Sequence, residues 1–195
     1  MNNYEYIIAS LPLLSQDGKE APDTDAILSE IKEQLSAKDL SILDLLLDSY
    51  DPEKLDAAFY RKALKERNKF VRSFFALDLG VRNTKVEYLN STLGRPEGQD
   101  IVVLNPEGEE EEFEQKAEVE ALLRTDDSLG RERALDDFYW KAVDSLTVLD
   151  YFDLDKILAF VVKLKMVERW LRLDEATGRE LFRKLVKEIK ENTKI

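Results

Sequence analysis

Carboxylates are the side chains of this sequence best suited by type to do chemistry. Asp126-Asp127, Asp136-Asp137 and the run Glu109-Glu110-Glu111-Glu112, followed by Phe113 and Glu114, are the densest groups. Paired carboxylates can act as general acid and base, or hold a magnesium ion whose bound water they orient. Both roles require oxygens that converge on one centre. Side chains adjacent in a helix diverge by about 100°, and a glutamate run gathers no centre by itself, so a solvated surface is the plainer reading of all three groups. A carboxylate-dependent magnesium enzyme is therefore the weakest functional reading.

The rest of the catalytic repertoire is missing. The 195 residues include no histidine and no cysteine. That excludes Ser-His-Asp and Cys-His nucleophiles, zinc sites built on imidazole or thiolate, disulfides and redox thiols. Gly18-Lys19 is followed by Glu20, so no G-x-x-x-x-G-K-[ST] phosphate loop exists, and G-x-G-x-x-G, EF-hand and G-x-S-x-G patterns are likewise lacking. The expectation is a non-enzymatic protein without catalytic, cofactor-binding or metal residues.

The elements that must position these side chains read mostly as helices. Tyr4-Glu5-Tyr6-Ile7-Ile8-Ala9-Ser10-Leu11, rich in aromatic and β-branched residues and closed by Pro12, reads as a short extended segment. Ser15 to Pro22 is a polar loop. Asp23 or Thr24 can cap a helix carrying Ile27, Leu28, Ile31 and Leu35 on one face, and Ser36 with Asp39 signals a second cap before Leu40, Leu43, Leu46 and Leu47. Asp51-Pro52 is a favourable helix start, and no further proline occurs until after Leu93. One rod over that span would be about 60 Å long, so the molecule is expected to be elongated, or the rod to bend near Gly80. Its stripe Phe70, Phe74, Leu77 and Val81, flanked by Val71 and Phe75, reads as core.

Gly94-Arg95-Pro96-Glu97-Gly98 breaks the helical pattern and opens a flexible acidic loop over 94–112. Within it, Asp100 to Leu104 is a candidate strand that could pair with residues 4–11. Helices follow over Ala117 to Arg124, then from a cap at Ser128 through Leu135, Phe138, Tyr139, Ala142, Val143 and Leu146. A further helix runs from Asp153 to Trp170 and Leu171, and a last one carries Leu181, Phe182, Leu185, Val186 and Ile189. Trp140 and Trp170 on apolar faces read as core before they read as partner anchors. The whole is expected to be a mainly α, antiparallel helical bundle forming one domain over 1–195.

Composition sets further bounds. With 44% hydrophobic residues the chain can bury a core, and its net charge of −12 is unevenly spread. Residues 1–53 carry 3 basic and 12 acidic side chains, 54–95 carry 10 and 4, 97–127 carry 2 and 12, 128–155 carry 3 and 7, and 156–195 carry 11 and 6. The two basic blocks either neutralise acidic ones internally or present charged faces to partners. Nucleic acid is a poor partner for so acidic a chain. The N-terminal residues lack a basic leader, and neither apolar run is long enough to span a bilayer, so the expected location is cytoplasmic without direct membrane insertion. Asn90-Ser91-Thr92 matches a glycosylation acceptor by chance.

An offset of 87 residues lays Glu66 on Asp153, Lys69 on Lys156, Phe70 on Ile157, Val71 on Leu158, Phe74 on Val161, Phe75 on Val162 and Leu77 on Leu164. Duplication would produce this match, and so would two unrelated amphipathic helices in the same apolar phase.

The opening Tyr4-Glu5-Tyr6-Ile7-Ile8-Ala9-Ser10-Leu11-Pro12 resembles that of a bacterial domain-of-unknown-function family encoded among genes for V-type, or archaeal-type, rotary ATPases. Glu66-Arg67-Asn68, followed by an apolar helix to Leu77 and Gly80, is similar to a recurring helix of the C-type central-stalk subunit of those enzymes. There an acidic residue, an asparagine and a later glycine mark each helical lobe. Asp153-Leu154-Asp155-Lys156 lacks the asparagine, Asp78 stands where a basic residue usually precedes the glycine, and the chain is shorter than the three-lobed subunit. The resemblance implies a non-catalytic adaptor between the soluble rotor shaft and the membrane ring of proteolipid subunits, at the cytoplasmic face of the inner membrane. The competing expectation is a free-standing helical scaffold or regulator.

Overall fold

The computed structural model describes residues 2–16, 22–105, 113–125 and 127–172. Among these residues it contains eight helices and no strand, so the fold is an all-α bundle. They are α1 (Glu5–Ser10), α2 (Thr24–Gln34), α3 (Ala37–Asp48), α4 (Ala57–Leu64), α5 (Lys69–Leu93), α6 (Lys116–Leu123), α7 (Ser128–Leu146) and α8 (Leu154–Arg172). The expected last helix, from Leu181 to Ile189, and the Glu109 to Glu112 run lie outside the described residues.

Local capping decides most boundaries. Asp23 accepts from the amide of Ala26 at 3.0 Å and Ser36 from that of Asp39 at 3.2 Å, as the spacing led one to expect. Two starts differ from expectation. Asp127, not Ser128, caps α7 by accepting from Leu129 and Gly130. After Asp51-Pro52 the chain makes a turn, and α4 begins only beyond Asp56, whose carboxylate accepts from the Phe59 amide at 2.7 Å.

The single rod from Pro52 to Leu93 is likewise corrected. Between α4 and α5 the helix stops, because Asn68 takes extended backbone and turns its side chain onto the Val71 amide at 2.8 Å. An asparagine here satisfies an orphan helix donor, which unbroken helix would leave it unable to do. No break follows at Gly80. Helix α5 passes through it, and the missing side chain instead admits the ring of Phe113, which would lie only 2.4 Å from a Cβ at that position.

The β pairing of 4–11 with 100–104 does not form. Residues 5–10 coil into α1, which buries Ile7 and places Tyr4 against the α7–α8 connection, its amide donating to the Phe152 carbonyl at 2.7 Å. Residues 101–105 form no strand, and their backbone is bonded instead by side chains. The Asn83 amide accepts from Val102 N and donates to Val102 O, both at 3.0 Å, and Arg61 donates to the Leu104 carbonyl at 3.3 Å. This part of the expected flexible loop is thereby tied to the bundle, with Val102 and Leu104 packed on its core.

That core lies where α8 meets α2, α3, α5 and α7 while α4 covers α5. Tyr60, Phe70, Phe75, Leu43, Leu46, Ile157, Leu158 and Leu164 are fully buried, and Phe59, Phe75 and Phe74 meet edge to face at about 5 Å. A smaller cluster of Val81, Val119, Leu123 and Leu135 lies between α5, α6 and α7. The basic stretches meet the 128–155 acidic stretch through Lys85–Glu132, Lys163–Asp144 and Arg169–Asp136, which is internal neutralisation of part of the charge.

Candidate functional site

Three helix N-termini gather at one end of the bundle. Those of α3, α5 and α8 are capped by Ser36, Asn68 and Asp153, the last accepting from the Lys156 amide at 3.3 Å. Between them lies a hollow of about 180 Å³ whose polar lining includes Tyr4, Asp39, Glu66, Asn68, Asp153 and Asp155. Helix starts carry positive partial charge, which is why carboxylates are tolerated here in such number.

Each carboxylate at the centre already has its donors. Asn68 spends its carbonyl on the α5 cap and its amide Nδ2 on Asp155, joining the starts of α5 and α8. Burial raises the Asp155 carboxyl above the usual range, the Asn68 bond opposing it and the nearby Asp153 charge reinforcing it. At Asp39 burial also pulls upward, but hydrogen bonds from Tyr4 at 2.5 Å and Asn2 at 2.8 Å, with that of Ser36, leave its carboxyl below the ordinary value. Among the described residues no group of three acidic side chains is arranged to hold a metal ion. The arrangement can lock helices together, and its carboxylates are consumed in doing so.

Beside this junction the α7–α8 connection presents an apolar surface. Val148, Leu149, Tyr151 and Phe152 are 68%, 81%, 67% and 49% exposed, with Asp150 and Asp153 between and beyond them. Their backbone is held by the Tyr4–Phe152 bond and by Asp150 N donating to Thr147 O at 3.2 Å. Four apolar side chains this exposed within residues 148–152 form a local apolar patch on the surface. Burial raises the Asp150 carboxyl too, with the charges of Asp153 and Asp155 adding to it.

A second site is a cavity of about 430 Å³ between α4, α5, α7 and α8. Half-buried Asp78 accepts from the hydroxyls of Tyr60 at 2.6 Å and Tyr139 at 3.0 Å. Desolvation pushes its carboxyl upward against those two bonds, and pushes both phenols upward as well. Asp136 is not the surface residue its sequence suggested. It is 5% exposed, bound by Arg169 at 2.6 Å and by the Trp170 indole, while Asp137 is exposed as expected. Trp170 and Trp140 are half-buried under the cations of Arg133 and Lys163. Asp126 lies outside the described residues, and Asp127 is spent on its cap.

Asp78 with its two tyrosines escaped sequence reasoning although a signal existed. It sits four residues after Phe74 and three before Val81, which puts an acid on the stripe read as core.

A family described as protein of unknown function (DUF2764) matches residues 52–193. The chain belongs to the DUF2764 family. The match takes in α4 to α8, and so includes Asn68, Asp78, Asp155 and the exposed connection, whereas α1 to α3 precede it. No curated protein and no solved structure matches the chain. Membership in DUF2764 therefore fixes kinship without naming an activity, and any functional reading rests on the site.

Proposed function

We propose that this DUF2764 protein is a non-catalytic adaptor of a V-type rotary ATPase, seated between the central rotor shaft and the proteolipid ring that carries protons or sodium ions. The observation that carries the reading is the Asn68–Asp155 bond joining the starts of α5 and α8, beside an exposed apolar connection. A part that transmits torque needs stiff joints and shaped contacts rather than reactive groups. Here the clustered carboxylates are used for capping and pairing, and the asparagine that resembles the central-stalk motif is the residue that makes the joint. The acidic flank of the connection, Asp150 and Asp153, orients a partner with a basic rim, since complementary charge gives specificity more than affinity.

Among the described residues no helix is long and apolar enough to cross a membrane, so attachment at the cytoplasmic face would run through partner subunits. Tagged protein purified from its host in mild detergent should bring down rotary ATPase subunits. Recovery of other proteins without them would favour the second reading, a free-standing scaffold using the same exposed connection. Recovery of nothing would remove both.

A further inference from the structure

Six cations stand exposed where α4 turns into α5: Arg61, Lys62, Lys65, Arg67, Lys69 and Arg72. Between Asp56 and Asp78 the only acidic residue is Glu66, and its carboxylate accepts from the Arg67 amide at 2.7 Å. Among the described residues none of the six cations has a carboxylate within ion-pair distance. Internal neutralisation, which reaches Lys85 further along α5, stops short of this corner.

The fold accounts for only part of this charge. Arg61, Lys62 and Lys65 close α4, where positive charge complements the helix dipole. Lys69 and Arg72 fall in the first turn of α5, the end at which the same dipole opposes a cation. Two guanidinium groups are held by backbone rather than by carboxylate. Arg72 donates to the carbonyls of Glu66 and Arg67, both at 2.7 Å, and Arg61 to that of Leu104 at 3.3 Å. A guanidinium carries five donors in a rigid fork, so each keeps donors for an incoming anion and loses little freedom in binding it.

We infer that the α4–α5 corner docks an acidic segment of another protein, its Asp and Glu side chains lying along these six cations. The surrounding charge selects this polyanion over broader ones. Arg67 shares the 180 Å³ hollow with Asp39, Asp153 and Asp155, and Asp56 caps the far end of α4. An anionic bilayer or a nucleic-acid duplex presents phosphates over a wide face and would set them against these carboxylates, on a chain of net charge −12. A peptide confines its charge to the basic strip. Neither the Asn68–Asp155 joint nor the exposed connection takes part, so the corner binds its segment whether or not the partner is a rotary ATPase subunit.

Fluorescently labelled octaglutamate is the probe, titrated with the full-length protein and read by anisotropy at low and at physiological salt. It should bind one to one and saturably, and more weakly as salt rises. Lys62→Glu with Lys65→Glu should weaken binding about tenfold or more. Lys54→Glu with Lys141→Glu, the same change in net charge placed before α4 and on α7, should weaken it by less than about threefold. All four lysines are exposed. Should the corner pair fail to fold, Lys69→Glu against Lys141→Glu makes the same comparison. Absence of saturable octaglutamate binding, equal losses in the corner and control variants, or tighter binding of phosphatidylserine vesicles or duplex DNA at this corner would each overturn the inference.

Discussion

Asn68 donates its side-chain amide to Asp155, a residue 87 positions further along the chain. That separation equals the offset at which the apolar pattern of α5 lies on that of α8, and Phe70, Val71, Phe74 and Phe75 are buried as are their counterparts Ile157, Leu158, Val161 and Val162. Contact between positions equivalent under a repeat is what a two-fold relation produces near its axis. The caps fall out of this register, since α8 is capped by Asp153, two residues before Asp155. Asn68→Ala removes both a cap and the joint, and should cost about 1–3 kcal/mol in urea unfolding. Asn68→Asp keeps the cap but sets a second carboxylate against Asp155, so it should be destabilising near neutrality, and adding Asp155→Asn should recover most of the loss.

Stability should fall as pH rises from mildly acidic to neutral. Asp78, Asp150 and Asp155 all have folded-state carboxyls raised above the ordinary value of 3.8, first through burial. Between the unfolded and folded titrations the native state holds more protons, and stability decreases with pH across that window. Asp39, which is lowered, acts in the opposite sense and only below its unfolded value. Urea unfolding at about pH 4.5 and about pH 7.5 measures the slope. Asp78→Asn, which cannot ionise yet can still bond Tyr60 and Tyr139, should flatten it; an unchanged slope would show that Asp78 does not titrate in this range.

Gly80 and Phe113 should show a reversal of sign. Alanine is the better helix former by about 1 kcal/mol, but in the native protein its Cβ would strike the Phe113 ring. Overpacking of this kind costs about 1–3 kcal/mol, so Gly80→Ala should destabilise the wild type. With Phe113→Ala already in place the ring is gone, and the same glycine change should stabilise. Additive effects in the double-mutant cycle would refute the contact.

These residues show how far the sequence could be read. Helical spacing announced α2, α3, α6, α7 and α8 and their buried faces, because a repeating apolar face is a property of contiguous residues. The stop between α4 and α5 was harder to see, since the apolar phase barely changes across it and only the cap at Asn68 decides. Gly80 invited the idea of a bend because a glycine says that space is needed, not who uses it; the user, Phe113, lies in another element. The same holds for Asp136 and Asp78, whose partners Arg169, Tyr60 and Tyr139 are brought in by the fold. Sequence adjacency made Asp136 look paired with Asp137, while the helix sends the two to opposite environments.

Asn83 offers a test of the loop. Residues 101–104 have the composition of a strand, and the backbone of Val102 does find both its pairing partners, but on one side-chain amide. Asn83→Ala removes two hydrogen bonds worth about 0.5–1.5 kcal/mol each. The loss should be local. Hydrogen exchange at Val102 and its neighbours should accelerate, and limited proteolysis should cut there, while the core of α8 keeps its protection. Unaltered exchange at Val102 would mean that packing of Val102 and Leu104, with the Arg61 bond to the Leu104 carbonyl, holds the segment.

The exposed connection separates surface function from stability. Leu149 and Tyr151 are 81% and 67% exposed, so Leu149→Asp with Tyr151→Asp removes little packing and should change stability by less than about 1 kcal/mol. If this surface docks a partner, the double variant should lose that partner in the pull-down, since charged groups would be buried without compensation against an apolar contact. Charge supplies the finer test. Asp150→Lys should slow association with a basic-rimmed partner and weaken its salt dependence, leaving dissociation less affected. Retention of the same partners by the aspartate variant, with its fold intact by circular dichroism, would move the docking surface elsewhere on the bundle.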